Sequence, residues 1–260
     1  MKKCAILILA ITLVMGIVLL LRNGKDSGEE ENGTIRFGTE GGVIPMTYFD
    51  ENGNHGGFEV ELAKLIAEKL GKKATFTFIG FPLLPTALQT GKIDVAFENW
   101  GIFPETRQGI DYSVSYYPEM MLFMFKKSDY IVNRDQLRGE KISYPMHPIM
   151  TKLLGKNMSD SELVPFDDQT TAIEALKSGQ VKAVYIDACM TPIYCQKYPE
   201  FEYSAFDLRS ETEGVAFAFP KGSPLRVEFN EILRELGANG ELKALKEKWN
   251  LQEEWTMPDE

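Results

Sequence analysis

The stretch Ala87-Leu88-Gln89-Thr90-Gly91-Lys92-Ile93-Asp94-Val95-Ala96-Phe97 decides the fold. It reads as a helix end, a Thr-Gly stop and a continuous apolar strand of the kind buried in parallel sheets. The phrase returns at Ala175-Leu176-Lys177-Ser178-Gly179-Gln180-Val181-Lys182-Ala183-Val184-Tyr185. Polar side chains come after both strands: Glu98 and Asn99 after the first, Asp187 after the second. Open parallel sheets bind ligands outside the carboxyl ends of their strands. Two such units point to two similar α/β lobes with a cleft between them, although helix-Gly-strand is a common phrase and can recur by coincidence.

The chain around these units is consistent with that plan. Thr34 to Thr39 alternates as a first strand, broken by Gly41-Gly42. Tyr48-Phe49 with Asp50-Glu51-Asn52-Gly53 reads as a short strand and turn. Apolar residues at 58, 60, 62, 65, 66 and 70 have helical spacing, and Gly71 is a stop. Ala74 to Ile79 is rich in β-formers, and Leu83 to Gln89 is a short helix. Leu122 to Phe125 is expected to cross between lobes, with Gly214 to Phe219 as a second crossing. Leu225 to Leu236 and Glu241 to Trp249 are amphipathic helices expected to pack back on the first lobe. The expected organisation is 1–22 membrane anchor or signal segment, 23–33 acidic linker, 34–124 first lobe, 125–217 second lobe and 218–260 return to the first.

The formal net charge is -10, and the first 22 residues carry Lys2, Lys3 and Arg22, so the remainder is more acidic still. That argues against a nucleic-acid binder, which needs a basic face. Ala5 to Leu21 is an uncharged, largely apolar run of 17 behind two lysines. As a helix it would span about 26 Å, slightly short of a hydrocarbon core of roughly 30 Å. The lysines place the N-terminus inside and the rest outside. No small-x-small site comes after the run and Cys4 precedes it, so an uncleaved anchor is favoured over a cleaved signal. Cys189 and Cys195 read as two small buried residues, with a local disulfide as the lesser alternative, and no metal spacing exists. His55 and His147 are isolated, so no catalytic triad or zinc site can be assembled.

Several motifs together resemble the extracellular solute-binding proteins, family 3, of bacterial polar amino-acid importers. They are Gly57-Phe58-Glu59-Val60-Glu61-Leu62, Leu88 to Val95, Pro104-Glu105 with Ile110-Asp111-Tyr112-Ser113, Tyr116-Tyr117, Ala175 to Gly179, Asp187, Gly240 and Glu247-Lys248-Trp249. Each is weak alone, but their order is specific, and they span about Ile35 to Trp249. The resemblance implies an α/β, two-lobe periplasmic-binding fold of type II. Two strand crossovers form its hinge and the ligand lies between the lobes. It implies a monomer at the outer face of the cytoplasmic membrane, or exported if the N-terminal segment is cleaved. Such a protein hands a small-molecule solute to an ABC permease, with no cofactor and no catalysis.

The resemblance also implies a pocket. Its ammonium side would be Asp187 with Glu98, Asn99 and the indole of Trp100. Its first-lobe loop would offer Glu40, Met46 and Tyr48. Its carboxylate side departs from the family pattern. Thr106 stands at the place of the carboxylate-holding arginine and Arg107 comes one residue later, about 100° away on a helix, where it reads as a surface charge unless a local kink brings it into the site. Gly101 and Phe103 replace polar residues, and His147-Pro148-Ile149 replaces a hydroxyl-bearing helix cap. A ligand carboxylate facing Glu98 and Asp187 without a guanidinium is strongly disfavoured. An amine-bearing or cationic solute is therefore expected, one that need not carry an α-carboxylate. Two other classes stay open: an enzyme on the same fold with Glu98 as acid or base, and a ligand-sensing module.

Overall fold

A computed structural model describes residues 33–103, 109–204, 206, 208 and 213–251. The expectations for the segment 1–22 and for nearly all of 23–33 lie outside the described residues, as do Thr106 and Arg107. Among the described residues no helix is long and apolar enough to cross a membrane.

The repeated phrase forms the centre of each of two sheets. The first half of the chain runs β1 (Thr34–Thr39), β2 (Gly42–Val43), β3 (Thr47–Phe49), β4 (His55–Gly56), β5 (Lys73–Phe78), β6 (Val95–Ala96) and β7 (Ile110–Tyr112). The second half adds β8 (Met121–Lys126), β9 (Lys141–Pro145), β10 (Glu162–Phe166), β11 (Ala183–Asp187), β12 (Phe201–Tyr203) and β13 (Ala218–Pro220). One five-stranded sheet has the order β5-β1-β6-β13-β7, and the other β10-β9-β11-β8-β12. A small third sheet, β2-β3-β4, comes directly after the first strand.

The helix Leu84–Gln89 leads to Gly91 at φ +70° and then to β6, which lies parallel to β1 with Phe37 opposite Val95. The helix Gln169–Lys177 leads to Gly179 at φ +77° and then to β11, which lies parallel to β9. Both glycines take the left-handed conformation that ends a helix and that a Cβ would strain. The strand expected over Ile93–Phe97 has only two strand residues, but its ladder is longer. Asp94 N donates to Arg36 O at 2.8 Å and Phe97 N to Gly38 O at 3.1 Å.

The crossings differ from expectation. The apolar run around Leu122–Phe125 is not a crossing: β8 lies wholly in the second sheet, paired with both β11 and β12. Its continuous hydrophobicity reflects burial on both faces, since Leu122 to Phe125 are at most 2% exposed. The crossing lies upstream, between β7 and β8. The return segment meets it at Val215, which bridges to both Gly101 and Tyr117. Main-chain bonds Val215 N to Tyr117 O (2.8 Å) and Ala216 N to Trp100 O (3.0 Å) tie three extended segments at the hinge. First-lobe pairing therefore resumes near Gly214, ahead of residue 218.

The C-terminal helices, Leu225–Asn239 and Glu241–Lys248, pack on the first lobe. Phe229 is fully buried, with its ring centroid 6.2 Å from Phe37 and 5.4 Å from Phe217. Truncating such a phenylalanine to alanine costs about 3–5 kcal/mol. The exposed pairs Lys69–Glu235 and Lys248–Glu61 sit over this packing. They contribute little by comparison. In the second lobe Phe123 packs against Tyr185 at 4.7 Å. Cys189 is buried and Cys195 partly so, and both are free thiols.

Candidate ligand-binding cleft

The segments beyond the parallel strands converge on one cavity of about 610 Å³. Glu40 and Gly42 come after β1, Phe81 after β5 and Glu98 to Gly101 after β6. Pro145 ends β9, with Met146, His147, Ile149 and Met150 after it; Asp167 to Gln169 come after β10, and Asp187 ends β11. This is the carboxyl-end placement that the repeated phrase leads one to expect. Of the sequence-derived candidates, Glu40, Glu98, Asn99, Trp100, His147 and Asp187 line the cavity. Met46 and Tyr48 do not. Met46 is fully buried in the first-lobe core, and Tyr48 turns its ring to Trp249 at 6.3 Å.

Glu98 is engaged in shaping its own surroundings. Its Oε2 accepts from Thr39 Oγ1 (2.5 Å), Glu40 N (2.7 Å) and Gly41 N (2.9 Å), and its Oε1 accepts from Gly42 N (2.8 Å). A carboxylate gripping three successive amides fixes the loop after β1 as one wall of the cavity. Burial nevertheless pushes its pKa upward, against the lowering effect of those donors. Glu40 in turn accepts from Phe81 N at 2.6 Å, joining this loop to the one after β5.

Asn99 is the pivot between lobes. It adopts φ 47°, a left-handed conformation asparagine tolerates better than most residues. Its amide N–H donates to both carboxylate oxygens of Glu59, at 3.0 and 2.8 Å. Glu59 also accepts from the Tyr116 hydroxyl on the crossing segment. Glu59 is fully buried in the first turn of the helix Phe58–Lys69. Desolvation lifts its carboxyl to about 8, with Glu98 and Asp187 adding to the rise. The sequence shows Glu59 only as part of a motif, because its partner Asn99 lies 40 residues away.

Held this way, Asn99 points its amide at the second lobe. Asn99 Nδ2 donates to Asp187 Oδ1 at 3.1 Å, and Gln169 Nε2 donates to Asp187 Oδ2 at 2.6 Å. The orientation of both amides is set by these bonds, since only an NH₂ can face a carboxylate. Their carbonyl oxygens, Asn99 Oδ1 and Gln169 Oε1, are buried without a donor. Asp187 is 6% exposed, and burial raises its carboxyl to about 6 against the lowering effect of Gln169 and Asn99. Two unsatisfied acceptors thus flank an acid whose protein donors are neutral amides. Reading the sequence misses Gln169, although it opens a helix just behind the cap residue Asp168.

Six carboxylates border the cavity: Glu40, Glu98, Glu119, Asp167, Asp168 and Asp187. No lysine or arginine lines it among the described residues. His147 caps the helix Pro148–Asn157, its Nδ1 accepting from Ile149 N at 3.3 Å. Burial lowers its pKa, which favours the neutral ring. That ring lies 5.4 Å from Phe81, and Phe81 lies 4.9 Å from Trp100, so aromatic rings from both lobes close one side. The carboxylate of Glu119 lies against Gly101, in the space a Cβ there would take. No cluster of three or more metal-ligating side chains occurs among the described residues.

Two lobes, a hinge of paired crossings and a polar cleft at the strand ends define a solute-binding protein. The chain belongs to the bacterial extracellular solute-binding proteins, family 3, whose pattern matches residues 35–252. It is 29% identical to the arginine-binding extracellular protein ArtP of Bacillus subtilis (strain 168), over 96% of this chain and 98% of that one. Among solved structures it resembles an ancestral arginine-binding protein bound to glutamine, with TM-score 0.75 and 31% identity over 85% of this chain and 99% of that chain. It also resembles an ancestral amino acid-binding protein described as a precursor of cyclohexadienyl dehydratase, with TM-score 0.75 and 26% identity over 84% and 95%. The fold is the type II periplasmic-binding architecture.

Proposed function

We propose that this protein captures a small amine-bearing, cationic solute outside the cytoplasmic membrane and delivers it to an ABC permease, without catalysing any reaction. The observation that carries the reading is the Asp187 cluster. A buried carboxylate at the cavity wall, whose side-chain donors are two neutral amides, matches an ammonium or guanidinium. Six bordering carboxylates without a lysine or arginine among the described residues reinforce that polarity. Similarity to an arginine-binding relative agrees with a cationic solute. His147 bears on the opposite charge, because it takes the Ile149 N–H that a ligand carboxylate would need at that helix start.

The dehydratase precursor among the structural relatives raises an enzymatic alternative. Glu98, the candidate acid or base, argues against it. Its Oε2 takes two main-chain amides and a hydroxyl and its Oε1 a third amide, which supports a role in holding the loop after β1.

The test is a thermal-shift panel of arginine, lysine, histidine, glutamine and glutamate on the full-length protein. Cationic members should raise the melting temperature in proportion to ln(1 + [L]/Kd), and glutamate should not. Stabilisation by glutamate with none by the cations would refute the reading.

A further inference from the structure

Away from Asp187 the cavity changes character. The helix Pro148–Asn157 turns Ile149, Met150 and Leu153 toward it, at the i, i+1 and i+4 positions of a single face. Met146, just ahead of that helix, is 61% exposed. Across the cleft stand Pro82 and Pro85 of the first lobe. None of these side chains donates a hydrogen bond, the methionine sulfurs are only weak acceptors, and methionine adapts its shape to whatever lies against it. A volume of about 610 Å³ falls within the ~300–1,000 Å³ of sites for drug-sized molecules. It exceeds what an ammonium group alone requires.

On the reading that Asp187 receives a cation, we propose that the solute is amphipathic, with an ammonium head at Asp187, Asn99 and Gln169 and an apolar body between Pro82–Pro85 and the Ile149–Met150–Leu153 face. Charge complementarity fixes the head, and the apolar walls fix the body attached to it. Such a body needs no donor or acceptor along its length, which sets it apart from solutes carrying a second polar end.

Calorimetric titration of the full-length protein with the hydrochlorides of n-propylamine, n-pentylamine and n-heptylamine tests this. Affinity should rise by about two- to fourfold per added methylene, as the transfer of each CH₂ from water requires. Met150→Gln should flatten that slope, and Met146→Ser, at an exposed position, serves as a second variant. Asp187→Asn should weaken every member by a common factor and leave the slope. A flat series, or no alkylamine binding beside clear arginine binding, overturns the amphipathic solute and leaves the cation reading standing. Failure of alkylamines and arginine alike, with glutamate bound, overturns both.

Discussion

Replacing Asp187 by asparagine removes the charge while keeping the shape, and it should act with opposite sign on the empty and the loaded protein. In the empty cleft, burial holds the Asp187 carboxyl at about 6, above its ordinary 3.8. An acid raised in the folded state contributes stability that is full below its unfolded pKa and is lost as pH rises through the folded one. At pH 8 the wild type therefore carries an ionised buried carboxylate. The shift corresponds to at most about 3 kcal/mol, and protein relaxation brings the expected gain for the variant to about 1–2 kcal/mol. For a chain of this size that is roughly 2–8 °C in Tm. In the loaded cleft the solute cation loses its buried counter-charge, a loss of about 2–5 kcal/mol. Affinity should therefore fall by about 30-fold to several thousand-fold. Scanning fluorimetry at pH 8, with and without arginine, reads both effects. The variant should melt higher when empty and respond far less to arginine. A variant that melts lower when empty and keeps its response would make Asp187 a structural acceptor for Asn99 and Gln169 and not the counter-charge of the solute.

Three further outcomes rest on the same geometry. Glu59 binds a proton below about 8, so Glu59→Gln should leave urea stability near wild type at pH 6; above pH 8 the wild type should weaken and the variant should not, and parallel pH dependence would contradict this. Glu98→Ala strips Thr39 and three main-chain amides of their acceptor, and should cost about 3 kcal/mol or more in urea denaturation, whereas a loss under about 1 kcal/mol would mean the loop does not depend on it. Protons compete with a cation for Asp187, so calorimetry should show affinity nearly constant well above pH 6 and falling toward tenfold per unit below it, and a level profile down to pH 4.5 would count against the site.

Much of this is legible in the sequence because it is local. The helix-Gly-strand phrase at Ala87–Phe97 and Ala175–Tyr185 locates both central strands, and the polar residues at their ends, Glu98, Asn99 and Asp187, do border the cavity. The illegible part depends on distant partners or on which way a loop turns. Met46 looks like a pocket residue beside Pro45, yet its chain turns the side chain into the core. Glu59 has the sequence of an acidic first turn, and only Asn99 and Tyr116 reveal it as a buried anchor. Leu122–Phe125 reads as a crossing and is not one, because uniform hydrophobicity marks burial on both faces without saying in which sheet. Glu98 borders the cavity as its place at the strand end implies, but its grip on the amides of Glu40, Gly41 and Gly42 depends on a loop 56 to 58 residues away.

Mass spectrometry of the solute released from the full-length protein, purified without added ligand, identifies what the cleft binds. The released molecule should carry a protonatable amine or guanidinium, and its rebinding should depend on Asp187. Recovery of an anionic or non-ionisable solute that rebinds equally well to Asp187→Asn would contradict this.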